Sequence, residues 1–553
     1  MTFDLVVRNA LIVDGTGREA YRGDVAVQGG RIAAVGKVEG KAWRTIDAGG
    51  QVVAPGFIDA HTHYDAQLLW DPGVDPATSH GVTTILIGNC GFTLAPVRPQ
   101  DQDYLLGVFS ATEEAPKSAL LRHAPLAWES FAQYMAYVEK SALGVNVITQ
   151  VGHTALRAYV MGEAARTREA TEDEIAEMVR LAEEAMDAGA AGVSSSFSPA
   201  HVDEDGEHVP SFRSTENEME ALAAAVGRKG KQLVSVNPRS KRDGLSEQDQ
   251  AFLVKLAEAS GAVVSWNDFG ARAPRWEETL AFMEGELERG NQIYVVARCQ
   301  PPETRFTLNR LSPLFSGSKT WLEYCRLDDA DKLTALADPA WRARLAKFWN
   351  GVLRYLQIAV VEKVENPQLQ DLVGRRLAEI AEARGVGLVD ALFDIALEDR
   401  LQAIFLLRSE TPADESDAER ILKSPASVVG VSDGGAHLQT FSGADYPTYF
   451  LAHWVREKRA FTLEAGVAAL TSRVADFIGL VDRGVIEVGK IADLTIFDPD
   501  CIGPEALELL DFPGGGQRLV KRARGVAWVI VNGIPIMESG RPTGAIPGRL
   551  IRA

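Results

Sequence analysis

The chain has 553 residues, 46% of them hydrophobic, with a mean hydropathy of −0.06 and a formal net charge of −19. That is enough apolar material for a large core, one big domain and a smaller one beside it, and it excludes a disordered chain. With 57 Lys plus Arg against 76 Asp plus Glu, the surface repels phosphate backbones and anionic bilayers, so neither nucleic acid nor membrane is expected as a partner.

In chain order, the opening "MTFDLVVRNALIVDG" alternates like a strand leading into a turn, and lacks the basic and long apolar regions of a secretory signal. The four cysteines, Cys90, Cys299, Cys325 and Cys501, are too scattered for a disulfide framework. A cytoplasmic protein is the expectation, with a homo-oligomer left open. "GDVAVQGGRIAAVG" continues the β pattern, which returns near the other end in "GKIADLTIFDPD" and "GVAWVIVNGIPIMESG". Residues 1–55 and 481–553 are therefore predicted to build one β-domain together.

Between them, over residues 56–480, short apolar runs alternate with helical patterns. The runs are "VAPGFIDAHTH", "TTILIGNC", "VNVITQVGH", "GVSSSFS", "QLVSVNPR", "AVVSWND", "QIYVVARCQ" and "VVGVSDGG". Eight such units predict an α/β fold, a (β/α)8 TIM-like barrel. The helical stretches agree: "ATEDEIAEMVRLAEEAMDAGAAG" opens on Thr171 as N-cap with Glu174 completing a capping box, then sets Ile175, Met178, Val179, Leu181, Ala182 and Met186 on one face. The stretch from about 301 to 397 is too long for a crossover and is predicted to be a helical excursion over the barrel mouth.

On this frame His61 and His63 end the first strand, Cys90 the second and Asp433 the eighth, all at the C-terminal face where barrel active sites lie. Alternate strand residues point the same way, so the two imidazoles of "HTH" can converge on one point. Two imidazoles, a thiolate and a carboxylate form a ligand set for zinc or a similar divalent ion. Each has a plainer reading alone: a bonded histidine pair, a buried small apolar cysteine, and an Asx-turn at "SDGG".

The motifs "APGFIDAHTHYD", "GVTTILIGNCGF", "GHTALR", "GVSDGGAH" and "DRGVIEVGKIADLTIFDPD", as a set and in order, resemble the amidohydrolase superfamily, and within it the N-acyl-D-amino-acid deacylase branch. The resemblance implies a barrel beside a β-sandwich built from both termini, a metal-dependent hydrolase of non-peptide C–N bonds, and a site of His61, His63, Cys90 and Asp433. It also marks departures. Where the branch carries histidine ligands at the ends of the fifth and sixth strands, this chain has Asn237 and either Trp266 or Asn267, and its fourth strand offers no lysine for a bridging carbamate.

Three readings follow. One metal held by His61, His63, Asp433 and Cys90 supports hydrolysis of a small-molecule amide such as an N-acyl amino acid, with Asp433 taking a proton from water and returning it to the leaving nitrogen. Alternatively, the metal site is weakened and the fold serves as a binding module or another enzyme. In the third, His153, His201 or His437 replaces a lost ligand, each otherwise being a structural loop histidine. Arg239 and Arg298 close the fifth and seventh strands, and either binds a substrate carboxylate or pairs with a structural one. The substrate-binding residues stay unassigned.

Overall fold

A computed structural model describes residues 2–553 apart from 125, 271–272, 302, 311, 313, 316, 351–352, 409–411 and 513–516, and apart from the side chains of 350, 354–355 and 412–414. Its frame is a succession of short, mostly buried parallel strands, most of them rich in Val and Ile as burial on both faces requires. Phe57–Asp59, Val82–Ile87 and Asn146–Thr149 pair in that order, and the third run continues as Val151–Gly152 into a second ladder. There Gly192–Ser196, Leu233–Asn237, Val263–Phe269, Ile293–Ala297 and Ser427–Val429 follow one another in parallel. Beyond it, Val431–Gly434 pairs in parallel with His61–Thr62, bringing the eighth run beside the first. Gly56 permits the first approach, since a Cβ there would lie 2.1 Å from Thr83 Oγ1.

Helices follow these strands and bury one face against them. The helix Glu172–Asp187 starts at the predicted capping box, Thr171 Oγ1 accepting from Glu174 N at 3.3 Å and Glu174 Oε2 from Thr171 N at 2.8 Å, and Met178, Ala182, Ala185 and Met186 are buried. Such a cap is worth about 1 kcal/mol.

Both ends of the chain meet in one nine-stranded sheet. Its joint is Val52–Pro55, parallel to Leu11–Ile12 on one side and antiparallel to Leu494–Phe497 on the other. Asp493, beside that joint, accepts from Arg483 Nη1 at 2.8 Å, Asn146 Nδ2 at 3.0 Å and Asn532 N at 2.7 Å, which ties the sheet to the third parallel strand.

The stretch read as a helical excursion also carries strands. Glu303–Phe306, Ile404–Arg408 and Ala359–Lys363 form an antiparallel sheet, and the helices between them pack on it. The runs "IFLLR" and "AVVEK" are five residues each, the length of a short buried strand. This unit has a separate core, centred on Phe306, Trp321, Trp349, Phe393 and Phe405. Among the described residues, no helix is long and apolar enough to cross a membrane.

Candidate metal centre

His61, His63 and Cys90 arrive from two neighbouring strand ends, and one ligand atom of each lies within 4.8 Å of the others. All three are buried. Cys90 Sγ stands 3.5 Å from His61 Nε2, and the same nitrogen is 3.4 Å from Asp433 Oδ1. The four residues of "HTH", "GNCG" and "SDGG" are thus brought together at one end of the parallel strands.

Local chemistry explains how each is aimed. The "GNCG" turn is anchored by Asn89, whose amide donates to the Thr62 and Leu86 carbonyls at 3.0 and 2.9 Å, and Cys90 takes a left-handed φ of +55°. In "SDGG" the turn is bonded by Ser432, which accepts from Gly434 N at 2.8 Å, leaving the Asp433 carboxylate to face the site. Gly435, at φ +88°, is required because a Cβ would come within 2.6 Å of the His63 backbone. Asp433, Asp268 and His437 also have positive φ, at +47°, +66° and +51°. Each costs on the order of 1–2 kcal/mol for an L-residue, and such strain concentrates where side-chain direction matters.

The electrostatics suit a cation. Burial is the main reason that the His61 imidazole is pushed down to about 4 and that of His63 to about 3, so both rings are neutral and have lone pairs to offer. Burial alone would raise the Asp433 carboxyl, but the Arg298 guanidinium, bonded to Oδ2 at 2.9 Å, and then the histidines hold it well below the carboxylate range. Burial pushes the Cys90 thiol up.

The departures take a definite form. Asn237 Nδ2 donates to Cys90 Sγ at 3.2 Å, and Asn267 Oδ1 lies 4.0 Å from the same sulfur. The Asn267 backbone N–H donates to Asn237 Oδ1 at 3.4 Å, which holds the Asn237 amide in place beside the sulfur. Of the two candidates on the sixth strand, Asn267 is the one facing the site; Trp266 turns outward, its indole N–H donating to Met283 Sδ at 3.3 Å. Both positions therefore present amides to the site, and amides are weak ligands.

The remaining candidates separate. His153 is fully buried between Ser195 Oγ at 2.8 Å and Glu218 at 2.7 Å, and Arg157 binds the same Glu218 carboxylate. That is a closed structural network, although Ser195 also lines the small cavity under His61 and Cys90. His201 packs on Phe92, its Nδ1 without a hydrogen-bond partner, and burial holds its imidazole well below the usual range. The charge of half-buried His437 acts on both Asp433 and His63. Arg239 lies over the rings of Phe197 and Phe212, and Arg298 pairs with Asp268 at 2.7 Å as well as with Asp433.

Two acidic residues at the site were not singled out from the sequence. Asp268 shares Arg298 with Asp433. Glu113 places Oε1 3.3 Å from His63 Nδ1 and is buried, which together with the charge of Asp433 pushes its carboxyl well above the usual range. The signal for Glu113 was the acidic pair in "ATEEAP", an unusual ending for a helix.

The model of the amidohydrolase family matches residues 44–526. The chain belongs to this family, hydrolases of carbon–nitrogen bonds other than peptide bonds. A D-aminoacylase of Alcaligenes xylosoxydans xylosoxydans is 29% identical over 99% of this chain and 97% of its own length. A D-aminoacylase structure, reported for its binuclear metal centre with one-metal activation and second-metal attenuation, superposes with a TM-score of 0.68 at 27% identity, covering 100% of both chains. The N-acyl-D-glutamate deacylase of Bordetella bronchiseptica, solved with zinc and a phosphonate inhibitor, gives a TM-score of 0.69 at 25% identity, again over 100% of both.

Proposed function

We propose that the protein is a metal-dependent amidohydrolase of the D-aminoacylase kind, cleaving the amide of an N-acyl-D-amino acid. The observation that carries the reading is the meeting of His61, His63 and Cys90 within 4.8 Å, with Asp433 on the same imidazole. Neutral buried imidazoles and an ionised carboxylate fit a divalent ion, zinc by the donor set. His61, His63 and Asp433 hold it, with Cys90 completing the set, and the ion supplies Lewis acidity to the scissile carbonyl and to water. One ion per chain follows from the amides at Asn237 and Asn267. It is in keeping with the relative in which one metal activates and a second attenuates.

Asp433 takes the proton of the attacking water and returns it to the leaving nitrogen. Arg298 keeps the Asp433 carboxylate ionised for the first of these transfers and turned toward His61. The frame for this chemistry is a closed (β/α)8 barrel over residues 56–480, beside a β-sandwich of 1–55 and 481–553, with the excursion from about 301 to 397 as the source of substrate selectivity. A cytoplasmic location is in keeping with four free cysteines.

The test is elemental analysis of the purified protein and of a His61→Ala/His63→Ala variant, with release of free amino acid from N-acetyl-D-amino acids measured for both. The expected result is roughly one zinc per chain and hydrolysis for the wild type, and neither for the variant. A variant that kept its metal would sink the site. A wild type that took up no zinc, manganese or cobalt would favour a binding module on the same fold.

A further inference from the structure

Glu113 occupies a place that nothing in its own helix favours. It is the last residue of the helix Gln102–Glu113, where a carboxylate opposes the macrodipole, and it is buried at 3% exposure. Among the described residues its one ion-pair contact is His63, with Nδ1 and Oε1 3.3 Å apart. The contact falls outside hydrogen-bond alignment, so His63 Nδ1 is a buried polar atom without a partner. Thr112 Oγ1 lies 3.1 Å from the same Glu113 oxygen, and its one proton is shared between that oxygen and the Val108 carbonyl at 2.7 Å.

The helix end itself is held. Glu114, at φ +59°, turns away and accepts from Gln439 N at 2.9 Å and from the Thr440 hydroxyl. These bonds join the helix to the loop that follows Asp433. Glu113 is thereby kept against His63. Its carboxyl oxygens do not fall within the group of mutually close ligand atoms of His61, His63 and Cys90, so it touches one imidazole without joining the cluster.

We propose that Glu113 is a positioning residue for His63: it accepts the Nδ1 proton, fixing the tautomer that leaves the Nε2 lone pair free to serve as the donor. A histidine bound to a metal through one nitrogen needs an acceptor for the other, and a carboxyl oxygen there fixes the orientation of the ring. This inference rests on the metal reading given above.

Zinc affinity, measured by competition with a chromophoric chelator, tests it in the wild type, Glu113→Gln and Glu113→Ala, alongside the visible spectra of the cobalt(II)-loaded proteins. Loss of such a partner weakens metal binding about 10- to 100-fold. Both variants should show that loss, with a shifted cobalt band at unchanged coordination number. The melting of metal-free Glu113→Gln should stay cooperative, which separates the effect from misfolding. Zinc bound as tightly by both variants as by the wild type would overturn the proposal. So would loss of one coordinated ligand in Glu113→Gln, which would make Glu113 a donor itself. A wild type that binds no zinc overturns the metal reading, and this inference with it.

Discussion

The two sides of the cavity around Cys90 are built from opposite chemistry. On the first- and eighth-strand side stand His61, His63 and Asp433, strong donors backed by Arg298 and Glu113. On the fifth- and sixth-strand side stand Asn237 and Asn267, bonded to each other, with Asn237 also donating to the Cys90 sulfur. The backbone is the same kind of parallel strand end on both sides, so the difference lies wholly in side chains. The same kind of frame can therefore carry donor-rich and donor-poor strand ends side by side.

Removing the base on the rich side should have the largest effect. Asp433→Asn should lower turnover of an N-acyl-D-amino acid roughly 100- to 10,000-fold, the range for losing a general base. Steady-state kinetics with undiminished kcat would exclude Asp433 from that role. Rebuilding the poor side is the reciprocal experiment. Asn237→His combined with Asn267→His should raise the zinc content of the purified protein toward a second equivalent, because two imidazole donors then face Cys90. If the content stayed at the wild-type level, the amides would not be what limits the stoichiometry.

The smallest effect concerns pH and the metal-free protein. His61 and His63 have imidazoles lowered to about 4 and about 3, against about 6.5 when unfolded, so they withdraw stability as the pH falls below 6.5. Burial raises the carboxyl of Asp59 to about 8 and that of Asp65 to about 7, so these two withdraw stability as the pH rises from the unfolded value near 4 through 7 to 8. The two pairs oppose each other between pH 4 and 6.5, and only the carboxyls act between 6.5 and 8. Metal-free protein should lose thermal stability over that upper interval, and Asp59→Asn should flatten the loss. An unchanged slope in the variant would assign it to other groups.

Much of the rich side was legible in the sequence, because His61, His63, Cys90 and Asp433 lie at the ends of apolar runs whose direction is fixed by a period of two. The poor side was half legible. Alternation left Trp266 and Asn267 both open, since the strand shifts register between Asn267 and Phe269, with Asp268 at φ +66° in the gap. Glu113 was missed for a different reason: it reaches the site from a helix, and no strand pattern reports where a helix end docks. The three strands inside the 301–397 stretch and its continuation were hidden because short apolar runs among helices carry no period long enough to identify them.

The pairing of Val52–Pro55 with Leu494–Phe497 has a consequence for how this protein is made. The apolar edge of Val52–Pro55 emerges early in translation, yet its partner strand is synthesised only after the whole run of parallel strands, tens of seconds later at ordinary elongation rates. Throughout that interval the nascent chain displays an unpaired strand edge, the kind of surface to which chaperones bind and through which chains aggregate. Yield in a cell should therefore depend on chaperone supply and on growth temperature more than the finished enzyme's stability would suggest.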